Sequence, residues 1–192
     1  RVKTNLKAVD VLRAIAKRHP SDRWVFVPEV RVGTGYNYGR GPGLGRVNVE
    51  QRIDAWAAHC WPSQRHARYA YEIKIARADF LHELKKPMKR AAALRLSNRF
   101  YFAAPTGLIK KDELPAECGL VEVSEAGRAR VAVEAIWRDC DDMEPGFVIS
   151  ILRKQGAGGT RRLIGFWTCW CGQRNFNTLV CVCTRVLSER DG

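Results

Sequence analysis

The stretch YEIKIARADF, residues 71–80, decides how the chain is read. Tyr71, Ile73 and Ile75 alternate with Glu72 and Lys74, the period of two that marks a half-buried strand. On a strand, residues two apart point to one face, so Glu72 and Lys74 share it. The strand is expected over 69–77.

Upstream, Leu6, Val9, Leu12, Ile15 and Ala16 recur at helical spacing in 5–18, an amphipathic helix ended by the His19-Pro20 turn. WVFVPEVRV (24–32) reads as extended, with Pro28 at an edge position or a bulge. Six glycines between Gly33 and Gly45 make a flexible loop. It lacks the strand–turn–helix setting of a dinucleotide fingerprint. Asp54 lies in VEQRIDAWAAHC (49–60).

Downstream, 79–98 is basic and mostly helical, with Pro87 opening a new turn or helix. RFYFAAP (99–105) and GLVEVSE (119–125) read as strands. RARVAVEAIW (128–137) reads as a strand or a strand running into a turn. FVISILRKQG (147–156) reads as a short helix capped by Gly156. Strands interleaved with helices give an α/β (α+β) class, a mixed sheet flanked by helices. The expected organisation is a core over 1–137 and an extension over 138–192. The boundary falls in the acidic RDCDDMEPG (138–146) or at QGAGG (155–159).

Thirty-three Lys+Arg against 20 Asp+Glu give a formal charge of +13, spread along the chain. Such a surplus suits a polyanionic partner, nucleic acid above all; solubility alone needs far less. No apolar run is long enough for a membrane helix, and no membrane partner is expected. The N-terminal stretch lacks the apolar core of a secretory signal. Seven cysteines, an odd number, point to a reducing compartment, with cytoplasmic localisation expected.

The chemistry starts with spacing. Eighteen residues separate Asp54 from Glu72, enough for a turn and a return strand that brings them together. Two carboxylates and a backbone carbonyl form a hard oxygen cage suited to Mg²⁺ or Mn²⁺. An adjacent Lys ammonium can hold a water or steady charge on a phosphate. Alone, E-x-K recurs in many surface strands; the upstream Asp and the basic chain give it weight.

Residues 52–124 resemble the PD-(D/E)XK nuclease superfamily, and within it the MmcB-like DNA repair proteins. The resemblance rests on RIDAWA (52–57), YEIKIARADF (71–80), ELKKPMK (83–89), RFYFAAPTGLIKKDELP (99–115) and CGLVEV (118–123), and extends to VPEVRV (27–32). Ile53, where Pro or Ala often precedes the Asp, departs from the pattern, as do the glycine-rich insertion and the Cys-rich tail. The resemblance implies a restriction-endonuclease-like sheet with a divalent metal, Mg²⁺ or Mn²⁺, at its edge. It implies Asp54, Glu72 and the Ile73 carbonyl as metal ligands, Lys74 as the catalytic lysine and Glu29 as an additional acid. Asp79 reads either as a helix cap or as catalytic. Arg77, Lys85, Lys86, Lys89 and Arg90 follow the site and could hold a nucleic-acid backbone; the alternative is a solvated helix face.

The expected function is a divalent-metal-dependent nuclease hydrolysing phosphodiester bonds, in DNA rather than RNA, in DNA repair or in phage or bacterial DNA processing. The alternatives are a catalytically weak or inactive nucleic-acid-binding module on the same fold, and a zinc-stabilised adaptor for a protein partner. Cys169, Cys171, Cys181 and Cys183 form C-x-C pairs nine residues apart. Four thiolates could hold Zn²⁺, or an iron–sulfur cluster. The competing reading is a strand with buried thiols.

Overall fold

The computed structural model describes residues 5–32 and 52–159. Among them run α1 (Ala8–Ala16), β1 (Trp24–Arg31), β2 (Arg52–His59), β3 (Arg68–Ile73), α2 (Arg77–Leu84), α3 (Ala91–Arg95), β4 (Arg99–Pro105), β5 (Cys118–Val123), β6 (Ala129–Val133) and α4 (Pro145–Gly159). The strands form one mixed sheet in the order β1-β2-β3-β4-β5-β6. β3, β4 and β5 are parallel, and the outer pairings are antiparallel. The result is an α+β architecture, as the interleaving of strands and helices predicts.

The sheet has apolar layers on both faces. On one, α1 buries Val11, Ala14 and Ile15 in a cluster with Ala55, Tyr71, Tyr101, Ala103 and Val121. This face shares Ile15 with the stripe read in 5–18 but is turned from it: Leu6 and Leu12 pack only at its margin, and Val9 is exposed. The other face gathers Trp56, Phe100, Phe102 and Leu120 with Phe80, Ala93 and Phe147. Phe80 meets Phe102 edge-on at 5.2 Å.

Pro28 sits in β1, an edge strand of the six-stranded sheet, where a missing N–H does least harm. The basic segment 79–98 breaks into α2, a 3₁₀ turn over Pro87–Arg90, and α3. Pro87 opens that turn because its fixed φ suits a first helical position. Three boundaries differ from the sequence pattern. The strand expected over 69–77 leaves the ladder after Ile73, because α2 must start at Arg77 to cross over to β4. β6 ends at Val133, short of 137. α4 continues through Gly156 to Gly159, so Gly156 does not cap it.

The chain divides into the units Arg1–Leu152 and Arg153–Gly192. The whole sheet lies in the first. So does the segment after β6: Arg138 N donates to Asn98 O at 3.0 Å, Asp141 N to Arg95 O at 2.7 Å, and Phe147 packs edge-on against Trp56 at 5.4 Å. Of the second unit, only the end of α4 is described.

Candidate active site

The antiparallel register places Ala55 opposite Tyr71. One step further, Asp54 comes opposite Glu72. There the ladder gives way: Asp54 Oδ2 accepts a hydrogen bond from Ile73 N at 2.8 Å. A side chain thus takes the place of a strand carbonyl, pinning the Asp54 carboxylate against the end of β3. Across β2, the pairs Pro28–Ala55 and Val30–Ile53 bracket Glu29 at the level of Asp54. Glu29 has φ 48°, a left-handed conformation uncommon for any residue but glycine. The row Glu29, Asp54, Glu72 therefore crosses three strands at one level.

Lys74 lies just beyond β3. Its N–H still reaches Ala103 O at 2.9 Å, so the residue stays on the sheet although the ladder has ended. Its side chain turns inward and is buried, at 8% exposure. Nζ donates to Glu72 Oε1 at 2.8 Å and to Glu83 Oε2 at 3.4 Å. Glu83, on α2, is 3% exposed.

Glu83 is the participant that strand-pattern reasoning misses. On a basic helix a Glu reads as part of the wet face. The available signal is helical: Phe80, Glu83 and Leu84 stand at i, i+3 and i+4, so Glu83 falls on the stripe that Phe80 buries.

Three carboxylates, Asp54, Glu72 and Glu83, gather around one buried ammonium, and the exposed Glu29 adds its charge next to Asp54. Burial disfavours the charged form of Asp54 and raises its pKa; the charges of Glu29 and Glu83 add to this, while the Ile73 hydrogen bond and Lys74 oppose it. Glu72 is pushed up to about 7, first by burial and then by Asp54, against the pull of Lys74. For Lys74, burial acts to lower the pKa, yet the bond and charge of Glu72, then Glu83, leave it raised. The site holds surplus negative charge that its own lysine does not offset.

That surplus is the chemistry of a cation site. Ile73 N and Lys74 Nζ each take one oxygen of Asp54 and Glu72, which leaves a second oxygen on each. No three His, Cys, Asp or Glu side chains among the described residues already converge as a closed cage. The donor set that fits is two carboxylate oxygens with a backbone carbonyl, such as that of Ile73, all hard oxygens of the kind Mg²⁺ and Mn²⁺ prefer.

The expected backbone-holding cations divide. Lys85 and Lys86 are exposed. Lys89 Nζ lies 3.6 Å from Glu83 Oε2 with its side chain 60% exposed. Arg77 instead ties α2 to the loop after β4, donating to Leu108 O at 3.0 Å and pairing with Glu113. Arg90 departs from expectation: it is buried and donates to Glu117 Oε1 at 3.2 Å, because the 3₁₀ turn rotates it away from solvent. Asp79 stands exposed in the first turn of α2, whose N-cap is Ala76. It meets the helix dipole there rather than capping. Cys169, Cys171, Cys181 and Cys183, and the glycine-rich loop at 33–45, lie outside the described residues.

No family model matches the chain, and no curated protein matches it. Among solved structures it is similar to the "SPO1766 protein of unknown function" from Silicibacter pomeroyi. The TM-score is 0.52 at 22% identity, over 83% of this chain and 90% of that one. The likeness is one of fold.

Proposed function

We propose that this protein is a divalent-metal-dependent nuclease hydrolysing phosphodiester bonds in DNA, on a restriction-endonuclease-like core. The observation that carries the reading is the convergence of the half-buried Asp54 and Glu72 carboxylates with the buried Lys74, in a cluster with excess negative charge. A retired site has no reason to keep two partly desolvated carboxylates side by side at a cost. The +13 chain supports a polyanionic substrate.

In this reading Asp54, Glu72 and the Ile73 carbonyl hold Mg²⁺ or Mn²⁺. When bound, the ion supplies Lewis-acid stabilisation of charge at the phosphate. Glu72 orients Lys74 through the 2.8 Å bond, and Lys74 presents its remaining protons toward a water or a phosphate oxygen. Burial of the ammonium strengthens that electrostatic effect. Glu29 adds negative charge beside Asp54. Lys85, Lys86 and Lys89 contact the backbone. Zinc at the four tail cysteines, and a place in the cytoplasm in DNA repair or phage DNA processing, belong to the same proposal. Elemental analysis tests the zinc: under a tenth of an equivalent removes it.

Linear, nicked and branched DNA incubated with Mg²⁺, Mn²⁺ or EDTA tests the activity. Metal-dependent cutting by the wild type should fall by at least about a hundredfold in Lys74→Ala and Glu72→Ala, the scale of losing one transition-state electrostatic partner. No metal-dependent cutting, or cutting that persists in both variants, defeats the catalytic reading. Binding without cutting would favour the inactive nucleic-acid-binding module.

A further inference from the structure

Glu83 has no obvious place in a pair of strand carboxylates and a lysine, yet it is the most buried acid of the cluster. A Leu at 83 would complete the apolar stripe of Phe80 and Leu84. The chain instead puts a carboxylate there, and a buried ion pair is a poor device for stability. Its location is fixed. Phe80, one turn earlier, packs edge-on against Phe102, so α2 holds Glu83 rigidly over the end of β3. Glu83 Oε2 is 3.4 Å from Lys74 Nζ and 3.6 Å from Lys89 Nζ.

We propose that Glu83 is a positioning residue that retains Lys74 in the site when a divalent cation occupies Asp54 and Glu72. The inference rests on the cation-binding reading above. Lys74 Nζ leans on Glu72 Oε1, 0.6 Å closer than on Glu83 (2.8 against 3.4 Å). A divalent ion on Glu72 draws on the same carboxylate and repels the ammonium. Its tether is weakened just when the lysine is needed. An ammonium on a flexible four-carbon stem then swings to solvent unless a second anion holds it. Glu83 is that anion, already within reach. Lys89, mostly exposed, gives up its share of Glu83 to water at little cost as Lys74 closes onto it.

The test reads the position of the ammonium, not catalysis. Wild type, Glu83→Gln and Glu83→Asp are treated with N-hydroxysuccinimidyl acetate, with and without saturating Mn²⁺, and acetylation of Lys74 is followed by peptide mass spectrometry. Calorimetry reports Mn²⁺ binding in parallel. The wild-type lysine should acetylate slowly in both conditions. In Glu83→Gln, Mn²⁺ should speed acetylation by about tenfold or more, the factor worth one charge-assisted hydrogen bond. Glu83→Asp, one methylene short, should fall between.

Wild-type protection of Lys74 in Mn²⁺-bound Glu83→Gln overturns the proposal. So does equal exposure with and without Mn²⁺, which marks a merely structural role. If Glu83→Gln does not fold, Glu83→Asp decides: a wild-type rate with Mn²⁺ bound overturns the proposal. No heat of Mn²⁺ binding by the wild type removes the cation reading itself, and the proposal with it.

Discussion

Neutralising Glu72 should stabilise this protein at high pH, although Glu72 makes the shortest bond to Lys74. The Glu72 carboxyl moves from an ordinary 4.5 to about 7 on folding. Between those pH values the folded protein binds more protons than the unfolded chain, so stability falls as pH rises through the window. At 1.36 kcal/mol per unit of pKa, ionised Glu72 costs about 3 kcal/mol above pH 7. Lys74's attraction is already inside that figure: burial and Asp54 outweigh it. Glu72→Gln keeps a carbonyl oxygen to accept from Lys74 Nζ, and Glu83 still supplies a counter-charge. Urea unfolding of both proteins in EDTA, at pH 4.5 and pH 8, measures the effect. The two should be nearly equal at the lower pH. The variant should be more stable by about 2–3 kcal/mol at the higher. Free Mn²⁺ at a hundred times its dissociation constant should return about 2.7 kcal/mol to the wild type and little to the variant. A variant less stable than wild type at pH 8 would refute the reasoning. Glu72–Lys74 would then be a net stabilising ion pair, and the surplus negative charge would be no constraint.

Three further outcomes follow from other parts of the fold. His19, buried and bonded to the Tyr71 hydroxyl at 2.7 Å, has its pKa lowered by burial, then by Arg18, to about 4. The unfolded chain takes up this proton first, so stability should fall by about 3 kcal/mol as pH drops from 6.5 to 4. Urea titrations should show that drop shrinking in His19→Gln; equal drops in both proteins reject it. At Gly119 in β5, a Cβ would stand 2.5 Å from the Tyr101 ring and 2.6 Å from Ala135 N. Gly119→Ala should therefore cost about 1–3 kcal/mol or more, and an unchanged melting temperature rejects the packing. Phe147→Ala should cost about 3–5 kcal/mol by denaturant unfolding, because Phe147 fills the core beside Trp56. A loss under about 1 kcal/mol would mean the segment after β6 is not part of that core.

How far the chain could be read depended on whether a residue's environment is local. The alternation of Tyr71, Glu72 and Ile73 is local, and β3 runs through it. The apolar runs of β4 and β5 are local too, because parallel strands covered on both faces are apolar throughout. The meeting of Asp54 and Glu72 needs a hairpin, and the seventeen intervening residues allow one without specifying its register. The end of β3 was not legible. Nothing in IKIA says that pairing stops at Ile73; the crossover to β4 decides it. Arg90 was misread and Glu83 passed over for a shared reason. Both sit among lysines on short helical pieces, where charge suggests solvent. Arg90's burial depends on how the 3₁₀ turn at Pro87 rotates the chain against the sheet, a tertiary fact that spacing does not encode; Glu83 lies on the stripe of Phe80 in α2, where helical spacing does carry a signal.

The two faces of β3 explain why a costly cluster can persist. Tyr71 is locked on the α1 side: it stacks on Tyr101 at 5.7 Å and bonds His19. Glu72 cannot relieve its crowding by shifting the strand, since any slip would break that packing. Asp54 is pinned to Ile73 N, and Glu83 to a helix anchored by Phe80. The carboxylates are therefore held near one another by neutral contacts rather than by their own attraction. An ordinary ion-pair network behaves the other way, with opposite charges drawing its members together. The sign of the Glu72→Gln effect separates these cases. Stabilisation above pH 7 means that rigid packing forces like charges together, an arrangement whose natural relief is a bound cation.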